Sequence, residues 1–325
     1  MITAAISPLL LADFSRELAA ASAGRVSWLP ITDGALRDGS LSRANVAVTG
    51  HFAPGTSFAT VLPALTSVRW LHHVGAGMDR LLGVGLPSSA VVTNSAGAYA
   101  PSMAEYAIAG MIRIARGLDR WTQDQAQRKW QSGVDGPSSE LYGARLGIVG
   151  YGAIGRHLAT AAKALGMEVW ATKRTPIIAT AEPLDRLLPA EELLELLRAC
   201  DFVVITASLN ATTRHLFGDR EFRQMKRTAV LVNMARGAIV DPKALAAALE
   251  AGTIRGALID VTEPEPLLAD SPLWTTPNLW ITPHISGETS AGYARAMQIF
   301  CTNLALYLGG HPDRMGNRVD IPAHS

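Results

Sequence analysis

Arg145-Leu146-Gly147-Ile148-Val149-Gly150-Tyr151-Gly152-Ala153-Ile154-Gly155-Arg156-His157-Leu158 carries the strongest structural signal in the chain. The first five residues form a strand-like apolar run, the next six spell G-x-G-x-x-G, and a helical pattern continues to Leu165. In a strand, turn and helix that bind a dinucleotide, each glycine has its own task. Gly150 makes the tight turn, Gly152 bares the backbone for a pyrophosphate, and Gly155 lets the helix pack closely on the strand. The helix N-terminus, from Ala153 and Ile154 onward, turns its N–H groups and the positive end of its dipole toward the phosphates.

Moving outward, the second strand (Glu168-Val169-Trp170-Ala171) runs into Thr172-Lys173-Arg174-Thr175. An NAD enzyme normally places an acid here for the ribose 2′-hydroxyl, and Glu168 comes too early to serve. Lys173 and Arg174 can instead neutralise a 2′-phosphate, with Thr175 as a hydroxyl donor. NADP is therefore the preferred cofactor. A solvated basic loop that merely lacks the acid would leave NAD usable.

Apolar runs at 46–49, 70–74, 91–93, 145–149, 168–171, 202–206, 229–232, 256–259 and 279–281 alternate with helical patterns. That alternation predicts an α/β fold built on parallel sheets. At 325 residues, two domains are expected. Residues 101–130 read as one long helix, with Ser102 as N-cap and Glu105 completing a capping box. Asn94-Ser95-Ala96-Gly97 ahead of it is turn chemistry and a candidate hinge, and residues 133–139 read as a loop.

Lys and Arg number 29 against 28 Asp and Glu, so no electrostatic argument points to nucleic acid or an anionic membrane as partner. A small-molecule enzyme fits this balance. The two cysteines, Cys200 and Cys301, lack any zinc-binding spacing and read as buried thiols in a reducing compartment. Without a basic leader region or a long apolar span, a cytoplasmic location is expected.

Three later strand-like runs end in polar groups: Asn233-Met234-Ala235-Arg236-Gly237, Asp260-Val261-Thr262-Glu263-Pro264-Glu265-Pro266, and Pro283-His284-Ile285-Ser286-Gly287. Ligands of open α/β sheets gather at the carboxyl ends of strands, so Arg236, Glu265 and His284 are candidates to converge. With the glycine fingerprint, the N-x-x-R-G, D-V-x-x-x-E and P-H-I segments stand in an order that resembles the D-2-hydroxyacid dehydrogenase family, whose members include glyoxylate and hydroxypyruvate reductases.

The resemblance implies two Rossmann-like, doubly wound parallel-sheet domains with the active cleft between them. Residues 99–285 would be the dinucleotide-binding domain, and 1–98 with 286–325 the discontinuous substrate domain. It implies hydride transfer between NAD(P)H and a small 2-oxo acid, giving a D-2-hydroxy acid. Arg236 becomes the substrate clamp, whose planar fork pairs with a carboxylate. His284 becomes the acid/base group. Glu265 becomes its carboxylate partner, orienting the ring and favouring its protonated form. Asp260 falls where relatives bind the nicotinamide carboxamide, and Thr213 and Gly287 near the cofactor. In Val74-Gly75-Ala76-Gly77-Met78-Asp79, the amides of Ala76 and Gly77 match those that hold the substrate carboxylate, although two glycines after a strand also suffice for a tight turn.

Glyoxylate and hydroxypyruvate are the first expected substrates, because relatives that reduce them with NADPH suit the basic loop. A homodimer around the long helix is expected. The alternatives are a corepressor-like nucleotide-sensing protein without turnover and a phosphite dehydrogenase. No metal is expected: His72 and His73 lack further ligands at suitable spacing. Trp121 and Trp130 read as packing residues. Glu263 reads as solvated, and it is the competitor should Glu265 not be the partner.

Overall fold

A computed structural model describes residues 1–85, 90–131, 138–175 and 182–319. The chain divides into two units, Met1–Tyr99 with Thr289–Ser325, and Ala100–Glu288.

The first unit holds β1 (Ile2–Ile6), β2 (Val26–Pro30), β3 (Val46–Thr49), β4 (Trp70–His73) and β5 (Val91–Asn94), all parallel in the order β2-β1-β3-β4-β5. This is the flavodoxin-like version of the doubly wound sheet. Every residue of β3 and β4 is buried, which is why both read as unbroken runs rather than alternating ones. The chain re-enters this unit as the helix Ser290–Leu308, whose Phe300 stacks on Trp70 with ring centres 5.3 Å apart.

The second unit holds β6 (Arg145–Val149), β7 (Glu168–Lys173), β8 (Arg186–Pro189), β9 (Phe202–Ile205), β10 (Val230–Asn233), β11 (Gly256–Ile259) and β12 (Leu279–Ile281). Their order, β12-β11-β10-β9-β6-β7-β8, is the 3-2-1-4-5-6 Rossmann order with one further strand. The order reverses between β6 and β9, so the carboxyl ends of these strands flank the expected ligand crevice.

Three strands go beyond the nine apolar runs. β2 and β8 are edge strands ending in proline, with few buried residues, so neither shows a continuous apolar signal. β1 is internal, but its burial rests partly on Ala4 and Ala5, which have weak strand preference.

The expected long helix is two helices, Ala100–Arg116 and Leu118–Ala126, broken at Gly117, which adopts φ 60°. The reason lies in packing. Ala107, Met111, Ile114 and Ala115 bury one face of the first helix in the core over the sheet, whereas the second helix has no buried residue. Apolar spacing thus carries the helix only as far as Arg116. Ser102 is not an N-cap, because the helix has already begun at Ala100; its hydroxyl donates to Gly287 O instead. Trp130 lies beyond both helices and is exposed. Of the loop expected at 133–139, residues 133–137 lie outside the described residues. Cys200 and Cys301 are free and buried, as read. Among the described residues, no helix is long and apolar enough to cross a membrane.

Candidate active site

The glycine turn follows β6 directly. Gly150 adopts φ 95°, and a Cβ there would lie 2.5 Å from Ala207 Cα, so no larger residue fits. The N–H groups of Gly150 and Tyr151 both donate to Thr172 O, at 3.2 and 2.9 Å, tying the turn to the end of β7. Gly155 packs against Ile148 and Tyr151, where an added Cβ would meet carbons at 3.1 and 3.2 Å. Gly152 is different: nothing lies within 4 Å of its would-be Cβ. It precedes the helix Ala153–Ala164, whose first turn carries no acidic side chain and no side-chain cap. Open space, bare amides and an uncompensated helix dipole are what a pyrophosphate requires, so these residues fit a dinucleotide.

Lys173 ends β7 half-buried, and Arg174 and Thr175 follow it, both exposed. The Thr172 carbonyl fastens this strand end to the glycine turn, so the basic pair stands beside it. Glu168 begins the strand, ~16 Å away at ~3.3 Å per residue, and is engaged by Arg145 and by the Trp170 indole, each at 2.7 Å. On the other side of the turn, the Tyr151 hydroxyl donates to Glu182 Oε2 at 2.7 Å, while Arg156 pairs with Glu182 Oε1 at 2.6 Å. Burial, reinforced by Glu182, holds the Tyr151 hydroxyl firmly protonated.

The ends of β10, β11 and β12 carry the remaining groups. Buried Asn233 shapes the first turn: its Nδ2 donates to Arg236 O at 3.0 Å, and its Oδ1 accepts from Ala235 N at 3.1 Å. Arg236 Nη1 donates to Ala235 O at 2.7 Å. Gly237 has to be glycine, because a Cβ would lie 2.1 Å from the carbonyl carbon of Thr262. That close approach presses the Arg236 turn against the segment leading to Glu265.

Asp260, 1% exposed, organises the last loop. Its Oδ1 accepts from Thr282 Oγ1 (2.7 Å) and Ile285 N (2.8 Å), its Oδ2 from Ser286 N (2.8 Å), and its carbonyl from His284 N (2.7 Å). Within this frame His284 takes φ 59°, a conformation that costs an L-residue ~1–2 kcal/mol and persists only where the surroundings over-determine it. Its Nδ1 lies 2.9 Å from Glu265 Oε2, and Glu265 Oε1 accepts from Thr262 N at 3.1 Å. The His284 side chain is 39% exposed and that of Glu265 20%, so the pair is half-sheltered. Glu263, the competitor, is held by Arg214 through two hydrogen bonds of 2.9 and 3.1 Å. The imidazole therefore pairs with Glu265.

In the first unit, the carbonyls of Val74, Gly75 and Ala76 are each engaged, by the Tyr99 hydroxyl (3.0 Å), Ser95 N (3.1 Å) and Asn94 Nδ2 (2.8 Å). In a trans peptide the N–H points opposite to the preceding carbonyl. Fixing the carbonyls of Gly75 and Ala76 therefore turns the N–H of Ala76 and the N–H of Gly77 each away from those carbonyl partners. His72 is buried, with Nδ1 2.8 Å from Thr93 Oγ1 and Nε2 3.1 Å from Ser95 Oγ, and His73 Nδ1 is 3.3 Å from Thr49 O. Burial, with His73 adding to it, pushes the His72 pKa down to about 3.

Thr213 sits in the loop after β9, where its hydroxyl donates to Ser208 O and accepts from Asn210 N, both at 2.8 Å. Sequence reasoning gave no role to Asn233, Thr282 or Tyr106. Asn233 stood inside the quoted N-x-x-R-G segment, and an Asn at a strand end before a turn is a recognisable signal. Nothing local marked Tyr106, because its partner lies 176 residues away.

Residues 108–286 match the family described as D-isomer specific 2-hydroxyacid dehydrogenase, NAD binding domain. The chain belongs to the D-isomer specific 2-hydroxyacid dehydrogenase family. It is similar to the (S)-sulfolactate dehydrogenase of Chromohalobacter salexigens, 35% identical over 255 residues that make up 77% of this chain and 80% of that protein. It is also similar to a glyoxylate reductase of Korarchaeum cryptofilum, 32% identical over 78% of this chain and 76% of that one. Among solved structures, a D-isomer specific 2-hydroxyacid dehydrogenase from Xanthobacter autotrophicus Py2, in complex with NADPH and MES, matches with a TM-score of 0.79 and 26% identity, covering 98% of both chains. As a D-isomer specific 2-hydroxyacid dehydrogenase, the chain is an NAD(P)-dependent oxidoreductase.

Proposed function

We propose that this chain is an NADPH-preferring reductase of small 2-oxo acids, with glyoxylate and hydroxypyruvate as first substrates and His284 as the acid/base group. The observation that carries this reading is the 2.9 Å pairing of His284 Nδ1 with Glu265, in a loop rigidly built on Asp260. A proton on Nδ1 is held by the carboxylate, so Nε2 is the nitrogen that serves a substrate. In reduction, His284 Nε2–H donates to the carbonyl oxygen as it becomes a hydroxyl; in the reverse direction Nε2 removes that proton. Arg236 supplies a fixed positive charge to the carboxylate and to the oxygen as it gains electron density. The amides of Ala76 and Gly77 are assigned as further donors to a carboxylate.

When bound, the nicotinamide cofactor supplies the hydride. Gly150, Gly152, Ala153, Ile154 and Gly155 would hold its pyrophosphate, Lys173, Arg174 and Thr175 its 2′-phosphate, and Thr213, Asp260 and Gly287 its nicotinamide half. Asp260 already accepts three hydrogen bonds, and a carboxylate has about four acceptor sites, so one remains for a carboxamide donor. The glyoxylate reductase relative and the NADPH-bound structure support the choice of substrate class and cofactor.

The test is consumption of NADPH and NADH against a panel of 2-oxo acids, with His284→Ala alongside. NADPH-linked turnover of glyoxylate or hydroxypyruvate that His284→Ala abolishes is expected. Turnover undiminished in the variant would end the acid/base assignment, and NADPH binding without turnover on any acid would favour a sensing role.

A further inference from the structure

Two residues of the helix Ala100–Arg116 reach the loop that carries His284. Ser102 Oγ donates to Gly287 O at 3.3 Å, and the Tyr106 hydroxyl is hydrogen-bonded to Thr282 Oγ1. Being four residues apart, Ser102 and Tyr106 lie on one helix face, so a single rigid rod pins both ends of residues 282–287. The rod itself is anchored: Ala107, Met111, Ile114 and Ala115 lie in the core, and Gly110 brings the helix so close to the sheet that a Cβ there would lie 2.3 Å from Leu258 Cδ2.

The direction of the hydrogen bonds follows from the proton count. Thr282 spends its single hydroxyl proton on Asp260 Oδ1, at 2.7 Å, so toward Tyr106 it can only accept, and Tyr106 donates. The chain thus runs Tyr106 to Thr282 to the Asp260 carboxylate, which also gathers the amides of Ile285 and Ser286. Burial, with the Asp260 charge adding to it, pushes the Tyr106 pKa up to about 12, so the phenol remains a donor throughout the working pH range. His284 sits in the middle of this construction, at φ 59°.

We propose that Tyr106, acting through Thr282 and Asp260, is a positioning residue for His284, with Ser102 fixing the far end of the same loop. The inference rests on His284 being the acid/base group. Its physical content is that the left-handed backbone at His284 needs every one of these bonds. A hydrogen bond lost at Tyr106 loosens Thr282, leaves Asp260 with a less directed donor, and lets the ring leave the geometry in which Nε2 faces the substrate. Glu265 fixes the ring from one side; the Tyr106 chain fixes the backbone from the other.

The experiment is steady-state kinetics on Tyr106→Phe, Thr282→Ser, Thr282→Val and the Tyr106→Phe/Thr282→Val pair, with NADPH and glyoxylate. Phenylalanine keeps the ring and removes only the donor. Tyr106→Phe is expected to lower kcat about tenfold, the scale of one lost buried hydrogen bond, while KM for glyoxylate moves less than about twofold. Thr282→Ser should restore the relay and retain kcat, whereas Thr282→Val should lose it. The double variant should be no slower than Thr282→Val alone, because both changes break one chain. A wild-type kcat in Tyr106→Phe, or losses that multiply in the double variant, would overturn the proposal. His284→Gln separates the two readings: if it retains turnover, the acid/base assignment fails; if it is inactive and Tyr106→Phe is normal, only the present inference fails.

Discussion

Acid should destabilise the first unit through His72, whose ring is fully buried between Thr93 and Ser95. Its pKa falls from 6.5 to about 3, chiefly because burial penalises the charged ring. The folded state therefore refuses a proton that the unfolded chain accepts below pH 6.5. By linkage, the protein is unaffected above that value and loses stability as the pH drops toward 3. The loss approaches about 1.4 kcal/mol per pH unit, reaching about 3 kcal/mol at pH 4.5 and about 4 kcal/mol near pH 3. Set against the 5–15 kcal/mol typical of a whole domain, this removes a large share of the stability without by itself exceeding it. The assay is urea denaturation followed by circular dichroism from pH 7.5 to 4.5, comparing the native chain with His72→Gln. Glutamine can accept from one hydroxyl and donate to the other, but it cannot titrate. The native chain should take up one more proton on unfolding than the variant, so its stability falls more steeply with acid. Parallel curves for the two proteins would refute the reasoning. The consequence reaches function, since Ser95, at the end of this chain, also holds the Gly75 carbonyl that orients the Ala76 amide.

Three further outcomes are expected. Lys173→Ala and Arg174→Ala should each raise KM for NADPH about tenfold or more and leave NADH within about twofold, since each removes a charge-assisted contact to a 2′-phosphate; equal effects on both cofactors, read from paired kinetics, would exclude that contact. Glu265→Gln should lower kcat/KM about tenfold to a hundredfold, whereas Glu263→Gln, which breaks surface pairs with Arg214 and His215, should stay within about twofold in the same glyoxylate assay. Gly150→Ala should fail to fold or melt far lower, because its Cβ would collide with Ala207, while Gly152→Ala should melt normally yet bind NADPH more weakly by fluorescence titration.

Features encoded in adjacent residues could be read directly along the chain. The strand, glycine turn and helix at 145–165 were legible because each glycine answers a local steric demand, and Gly150 and Gly155 meet the contacts foreseen for them. The central strands were legible because a strand buried on both faces is a continuous apolar run. Other features depended on partners far along the chain. The edge strands β2 and β8 are defined by hydrogen bonds to a neighbour rather than by their own apolar content. The first long helix ends at Arg116, where Gly117 turns left-handed and the following helix buries no residue. Glu265 and Glu263 are two residues apart and chemically alike, and only folding distinguished them, by setting one against His284 and the other against Arg214. Likewise the left-handed turn at His284 and its support from Tyr106 arise because tertiary packing can sum several long-range hydrogen bonds against a local backbone cost, a balance no short window of sequence contains.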